Sequence, residues 1–188
     1  MLMSENKINK FYKENSALIV VDMQNDFYVG GSLEVNGIQN ILKPLKILIE
    51  KAILENVKII FTKDNHPSNH ISFSKWPKHC IKSTFGSLII DDLNQYKKDL
   101  IVHKGEEKDI ENYSCFFNGN DFSELKYFLE NNKINNLYFC GVAGEYCVKF
   151  SALDAKKFNF NVFLIKNAIC CIDKTFDLNL IDKEIKVI

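Results

Sequence analysis

The thiol of Cys147 lies where an apolar segment gives way to small residues and then to a predicted helix, in the run 136–147, NLYFCGVAGEYC. Backbone N–H groups at a helix start have no partner within the helix, and together with the helix dipole they favour a thiolate and can hold an oxyanion beside it. Cys147 is therefore a candidate nucleophile. The alternative is a packing role, because free cysteine is among the most buried residue types.

Two charged residues at other predicted strand ends could activate this thiol. Asp22 directly follows the apolar run Ala17–Val21, and Lys104 follows Leu100–Val102. A carboxylate can accept the thiol proton, and a neighbouring cation can hold that carboxylate in place. Taken singly, Asp22 is equally typical of a cap or turn, and Lys104 begins a charged run that is typical of a solvated loop.

A second group of residues has the chemistry of a metal site. Asp64 and His66 are separated by one residue and His79 follows, so that three of the four histidines, with His70, lie in this region. One carboxylate and two imidazoles suit a catalytic divalent metal and leave positions open for water or substrate. His70 is a further candidate ligand or a supporting partner of the ligands. Ordinary surface histidines are the alternative, and His103 is interpreted as structural.

Apolar runs and helical periodicity predict the elements that position these residues. Strands are predicted at 17–21, 57–61, 100–102, 137–140 and 162–165, and helices at 38–53, 121–131 and 147–156. Alternating strands and helices with short connections predict a single α/β domain over residues 1–188, a three-layer α/β/α arrangement with a mostly parallel central sheet. Ligands of such sheets bind beyond the carboxyl ends of the strands, which is where the candidate residues fall.

Composition excludes several classes of protein. The formal net charge is +0, and all 24 basic residues are lysine, so there is no electrostatic footprint for nucleic acid or a membrane. No apolar stretch reaches the length of a membrane span, and the polar N-terminal extension, residues 1–15, has no signal core, which predicts a cytoplasmic protein. The six cysteines form no C-x-x-C pair, as expected for reduced thiols.

From about Ala17 to Ala168 the chain resembles the nicotinamidase (pyrazinamidase) family of the isochorismatase-like cysteine hydrolase superfamily. Two segments match the superfamily: DMQNDF after the first strand, and GVAGEYC at Cys147. The segments DNHPSNH, WPKH, HKG and YSCFF match the metal loops, the lysine and the substrate loop. The metal set is what selects nicotinamidase within the superfamily.

This resemblance implies a role for each matching residue. It implies catalysis by Asp22, Lys104 and Cys147, with an oxyanion hole formed by the Ala143 and Cys147 N–H groups. It also implies that Phe27, Trp76 and Tyr113 bind the substrate ring. Asp64, His66 and His79 are implied to bind a divalent metal, which is zinc, with iron or manganese as alternatives. The peptide bond before Ala143 is usually cis in the family. Core packing is the alternative for each aromatic residue.

The implied reaction is hydrolysis of nicotinamide to nicotinate and ammonia through a cysteine thioester, in NAD salvage, with related pyridine and pyrazine carboxamides as further substrates. Gly144, Glu145 and Asn112 depart from the family pattern without removing a catalytic atom, and the tail 169–188 is shortened, so that most of a closing helix is expected to be missing. The oligomeric state stays open, with a homo-oligomer as one outcome. The alternatives are another isochorismatase-like amidase or hydrolase and a non-catalytic metal-binding homologue.

Overall fold

The computed structural model of the protein describes residues 11–188, so most of the predicted N-terminal extension lies outside the described residues. The strands are β1 (Ser16–Val21), β2 (Lys58–Asp64), β3 (Leu100–Lys104), β4 (Phe117–Asn118), β5 (Asp121–Phe122), β6 (Asn136–Gly141), β7 (Asn161–Ile169) and β8 (Lys186–Val187). The α-helices are α1 (Gln39–Leu54), α2 (Glu124–Asn131) and α3 (Lys149–Lys157). Single helical turns occupy Ile71–Ser74, Phe85–Ser87, Asp91–Leu93, Gly144–Val148 and Leu178–Leu180.

Six strands form one sheet in the order β3-β2-β1-β6-β7-β8, and each of their pairings is parallel. β1 lies near the centre, where Ile19 pairs with Ile60 of β2 on one side and with Phe139 of β6 on the other. All six residues of β1 are buried, as expected for a strand covered on both faces. The predicted α/β fold with a mostly parallel sheet is confirmed.

Each face of the sheet has its own apolar core, because successive strand side chains point to opposite faces. Leu18 and Val20 of β1 belong to the core beneath α1, together with Leu45 and Ile49 of that helix. Ala17, Ile19 and Val21 belong to the opposite core, which also contains the buried residues of α2 and α3. Helix, sheet and helix thus form three layers. Within residues 11–188, no helix combines the length and apolar character needed to cross a membrane.

Two predicted helices have different bounds in the structure. α2 begins at Glu124 rather than Asp121, because Asp121–Phe122 pairs with Phe117–Asn118 and the Ser123 side chain caps the helix by accepting the Leu125 N–H. The helix predicted from Cys147 to Lys156 is two elements: a π-helical turn that contains Cys147, followed by α3.

The tail completes the sheet instead of adding a helix. β8 pairs with β7 through Phe163↔Lys186 and Leu164↔Val187, so the shortened C-terminal segment forms an edge strand. The five predicted strands correspond to β1, β2, β3, β6 and β7 within a few residues, with β7 extended to Ile169, whereas the short strands β4 and β5 were not predicted.

The carboxyl ends of four strands bring the candidate residues to one edge. Asp22 directly follows β1, Asp64 and Lys104 are the last residues of β2 and β3, and Cys147 follows β6 by one short turn. β2 and β3 lie on one side of β1, and β6, β7 and β8 lie on the other, so the strand order reverses direction at β1. Open parallel sheets bind their ligands at such a position.

Gly141 is the residue that lets β6 end close against β1. Its φ is +107°, and a Cβ atom there would lie 2.1 Å from the backbone oxygen of Val21. The Val142 N–H also donates to that oxygen at 3.0 Å, so the strand cannot shift without losing this hydrogen bond. The turn that carries Cys147 therefore begins at a position that only glycine fits.

We predict that Gly141→Ala lowers the free energy of unfolding by about 3 kcal/mol, because a Cβ meets backbone in a left-handed conformation. The control is Gly30→Ala: its φ is +80°, but no described atom lies within 4 Å of the added Cβ. That variant should lose only about 1 kcal/mol. Denaturant unfolding measures both, and equal losses would contradict the close approach.

Candidate active site

The buried ammonium of Lys104 contacts three of the candidate residues. Its Nζ donates a short hydrogen bond to the Asp64 carboxylate, lies 2.9 Å from Oδ2 of Asp22 and lies 3.4 Å from Sγ of Cys147. Lys104 and Asp22 are fully buried. The sequence predicts a pair between Lys104 and Asp22 only, whereas the lysine also contacts Cys147 and Asp64, a candidate metal ligand.

Asp22 is held with one carboxylate oxygen bound and the other available. Thr62 Oγ1 donates to Oδ1 at 2.6 Å and accepts the Asp22 N–H at 3.2 Å. No described donor is aligned with Oδ2, so its 2.9 Å contact with Lys104 is an ion pair rather than a hydrogen bond. A carboxylate oxygen of Asp22 lies within 4.8 Å of the Cys147 thiol. The Asp22 carboxylate is therefore close to that thiol and has one oxygen, Oδ2, that accepts no hydrogen bond from any described residue.

Burial shifts the pKa values of the acid and the thiol in the same direction. Burial raises the pKa of Asp22. The Lys104 ammonium lowers this pKa, and the Asp64 carboxylate raises it. Burial also raises the pKa of the Cys147 thiol well above its ordinary value, against the opposing effect of Lys104. For Lys104 itself burial lowers the pKa, but the two carboxylates outweigh this and raise it. The ammonium stays charged beside two groups that can exchange a proton.

The turn around Cys147 contains a cis peptide bond and a backbone donor without a backbone acceptor. The Val142–Ala143 peptide bond is cis, as the resemblance implies. Among the described residues no backbone acceptor is found for the Ala143 N–H, and both Ala143 and Cys147 line the cleft described below. An N–H group without an acceptor beside a thiol can hold an oxyanion.

Asp64, His66 and His79 offer one ligand atom each within 4.8 Å of one another. Nδ1 of His66 contacts the Gly105 carbonyl at 2.9 Å, and Nδ1 of His79 contacts the Pro77 carbonyl at 2.7 Å. A carbonyl only accepts, so in each ring Nδ1 carries the proton and Nε2 is left for a metal. This arrangement is common to metal-binding histidines.

The charge of this cluster also suits a divalent ion. Burial raises the pKa of Asp64, but Lys104 and His66 outweigh it and hold the pKa below its ordinary value, so the carboxylate is ionised. For His79, burial lowers the pKa and favours the neutral ring that binds metals. One carboxylate with two imidazoles fits zinc, iron or manganese.

The contacts of His70 correspond to a supporting partner rather than a ligand. Its Nδ1 lies 2.7 Å from Ser72 Oγ, and its Nε2 lies 3.0 Å from the Ile110 carbonyl oxygen. The ring stacks on His66 with 4.1 Å between centroids. Both nitrogens of His70 have partners within the protein, and the ring packs against that of His66.

A cleft of about 410 Å³, including the solvent space at its mouth, is lined by Cys147 and by two candidate metal ligands, Asp64 and His79. Its lining contains the three predicted ring-binding residues, Phe27, Trp76 and Tyr113, and Trp76 Nε1 donates to the Tyr113 hydroxyl at 3.2 Å. The other lining residues are Leu33, Val35, Asp64, His79, Glu111, Ala143, Tyr146, Cys147 and Ile172.

Several of these residues were missed by sequence reasoning, and so were two residues that support the site. Gln24 is buried, donates to the Asp64 carbonyl at 2.8 Å and accepts the Asp64 N–H at 2.8 Å. Asp26 accepts the Cys80 N–H at 2.7 Å, next to His79. Their polar character between Asp22 and Phe27 is the sequence signal that could have found them.

The structure and known proteins agree on the kind of molecule. The profile of the Isochorismatase domain matches residues 16–183. Nicotinamidase from Saccharomyces cerevisiae is 34% identical over 79% of this chain and 84% of its own. The crystal structure of pyrazinamidase from Pyrococcus horikoshii in complex with zinc superposes with a TM-score of 0.82 at 38% identity, covering 93% of this chain and 98% of that one. An Acinetobacter baumanii nicotinamidase and pyrazinamidase gives 0.84 at 32% identity, covering 94% and 96%.

A parallel sheet with a thiol, a carboxyl group and an ammonium at its carboxyl edge defines the class of α/β cysteine hydrolases. The chain belongs to the isochorismatase family within that class. The resemblance indicated by the sequence motifs is thereby confirmed.

We predict that Lys104→Met lowers the free energy of unfolding by about 3–5 kcal/mol, because it leaves buried carboxylates without their cation. The control is Lys46→Met, which removes a partly exposed ion pair with Asp92 and should cost less than about 1 kcal/mol. Both are measured by denaturant unfolding with a chelator present, so that bound metal does not contribute. A loss at Lys104 no larger than at Lys46 would contradict a buried charge cluster.

Proposed function

We propose that the protein is a nicotinamidase, a cysteine amidohydrolase that converts nicotinamide to nicotinate and ammonia. The observation that carries the proposal is one cleft lined by Cys147, by the candidate metal ligands Asp64 and His79, and by the aromatic residues Phe27, Trp76 and Tyr113. The similarity to nicotinamidases over most of the chain supports it.

The flat pyridine ring would bind between Phe27 and Trp76, where stacking adds to the burial of apolar surface. Asp64, His66 and His79 would hold a divalent metal, zinc with iron or manganese as alternatives, which would supply a Lewis acid for the ring nitrogen. Stacking of the ring and binding of its nitrogen would together hold the carboxamide beside Cys147. Such positioning lowers the barrier by removing the entropy cost of the encounter.

In the first half-reaction Asp22 accepts the thiol proton and Sγ of Cys147 attacks the amide carbon. The Ala143 and Cys147 N–H groups hold the oxyanion of the tetrahedral intermediate. Asp22 then gives its proton to the departing nitrogen, the C–N bond breaks, and ammonia leaves a thioester. The raised pKa of Asp22 suits this exchange, because a carboxyl group that retains a proton can also donate one.

In the second half-reaction Asp22 takes a proton from water, the resulting hydroxide attacks the thioester carbon, and the C–S bond breaks. The proton returns to Cys147 and nicotinate is released. Lys104 stays protonated throughout and balances the negative charge that moves between Asp22 and the thiol. It is a positioning group rather than a proton donor.

The charges of the cleft favour a neutral amide over an acidic substrate. No lysine is among the described residues that line it, and the chain has no arginine. The ammonium of Lys104 is already engaged by Asp22 and Asp64. A ureido or vinyl-ether substrate with its own carboxylate would therefore find no unpaired side-chain cation in this lining, which favours pyridine and pyrazine carboxamides over the substrates of the alternative hydrolases.

We predict that the purified protein releases ammonia from nicotinamide and that Cys147→Ala lowers this rate by at least about a thousandfold, because no thioester can form. The control is Cys140→Ala, another buried thiol, which lies in β6 away from the cleft. It should retain activity. Metal-loaded wild-type protein that releases no ammonia from nicotinamide would refute the proposal.

We predict that His79→Ala lowers metal affinity at least about tenfold and raises KM for nicotinamide, since it removes a proposed ligand. His103→Ala, a substitution in β3, serves as the control and should keep its metal. Elemental analysis of protein dialysed against a metal buffer gives the occupancy. Full occupancy in His79→Ala would show that the ligand set is wrong.

A further inference from the structure

One wall of the cleft comes from the C-terminal tail, at residues 170–174. The side chain of Ile172 lines the cleft beside Ala143 and Cys147, and 41% of this residue is exposed. None of the predicted substrate-binding residues lies in this segment. A half-exposed isoleucine keeps its position only if its backbone is held.

The segment packs directly on the turn that carries the nucleophile candidate. The Gly144 N–H donates to the Cys170 carbonyl at 3.0 Å, and the Cys170 N–H donates to the Gly141 carbonyl at 3.0 Å. A Cβ at Gly144 would lie 2.3 Å from Sγ of Cys171, so a larger residue there would require the Cys171 side chain to move.

Glu145 holds the backbone of the wall itself. Its carboxylate accepts the Ile172 N–H at 3.1 Å and the Asp173 N–H at 2.6 Å. Two charge-assisted hydrogen bonds to adjacent N–H groups hold the backbone that carries the Ile172 side chain. Gly144 and Glu145 are the two residues of the turn that depart from the family pattern, and both contact the same segment.

Lys174 joins this wall to a second one. Its Nζ donates to the Cys171 carbonyl at 2.7 Å and makes a short hydrogen bond to the Asn36 carbonyl. Asn36 directly follows Val35, which lines the cleft. The tail segment and the loop around Val35 are thereby held together as one boundary of the cleft.

We propose that Glu145 is a positioning residue that determines substrate specificity: it holds Ile172 against the cleft and so limits the size of the ring that can bind over Cys147. The chemical class affected is aromatic carboxamides that carry a ring substituent. The inference rests on the proposed amidase function. Glu145 does not contact the reacting atoms, so its loss should change selection among substrates and not the chemical step.

The test compares nicotinamide with its ring-methylated forms, the 2-, 4-, 5- and 6-methyl nicotinamides, on Glu145→Ala. For at least one methylated amide we expect kcat/KM relative to nicotinamide to rise about tenfold, the usual discrimination of one methyl group by an apolar pocket. For nicotinamide, KM should rise and kcat stay within about twofold, because the binding that is lost is equal in the ground state and the transition state. Glu145→Gln, which keeps one acceptor oxygen, should restore part of the selectivity.

Ile172→Ala tests the same wall without removing a buried contact, and it should relax selectivity in the same way even if Glu145→Ala fails to fold. Glu130→Gln, at an exposed position of α2, is the matched control and should leave every ratio unchanged. Unchanged selectivity in both Glu145→Ala and Ile172→Ala, or an equal loss of kcat for all substrates, would overturn the proposal.

A second measurement needs no amide hydrolysis. Peptide mass spectrometry gives the rates at which the bulky N-phenylmaleimide and the smaller iodoacetamide modify Cys147. The ratio of the first rate to the second should rise severalfold in Glu145→Ala and in Ile172→Ala. If the wild-type protein is inert toward nicotinamide but the labelling ratio rises in both variants, the proposed function is refuted and the role of Glu145 in holding Ile172 is supported. An active wild type with an unchanged ratio would refute the wall alone.

Discussion

The site depends on one buried ammonium, that of Lys104, which two carboxylates and a thiol surround. An unpaired charge in this position would cost several kcal/mol, so the lysine and its carboxylates must be brought together by the fold or not be buried at all. The parallel register that pairs Asp64 with Lys104 across β2 and β3 does this, and β1 adds Asp22 from the adjacent strand. The same contact links the proposed metal cluster to the proposed nucleophile, because Asp64 belongs to both.

Around this charge cluster, loop backbones are held by single polar side chains. Gln24 binds the backbone of Asp64 on both its N–H and its carbonyl, Asp26 holds the backbone next to His79, and Glu145 holds the tail. A side chain that satisfies the backbone polar groups of a loop or a strand end also fixes the position of that backbone. The geometry of the cleft therefore depends on residues that contact the backbone of the site and not the reacting atoms.

Much of the fold could be predicted because its signals are local. The apolar run of β1 and the periodicity of α1 need no partner to be recognised, and both elements form close to the predicted bounds. The boundary of α2 was wrong because the strand pairing of Asp121–Phe122 competes with helix formation, and the tail strand β8 depends on an open edge of β7. Pairing between distant segments leaves no periodicity in either one.

The sequence by itself determined which chemical groups stand at the strand ends, since Asp22, Lys104 and Cys147 each follow an apolar run and belong to recognisable motifs. Only the tertiary structure decided that Lys104 contacts Asp64 as well as Asp22 and that Glu145 holds a wall of the cleft. The physical reason is that these contacts depend on strand register and on where a tail returns, and both are determined by packing over the whole domain. Residue type and motif are local, whereas distances between residues 27 or 40 positions apart are properties of the folded chain alone.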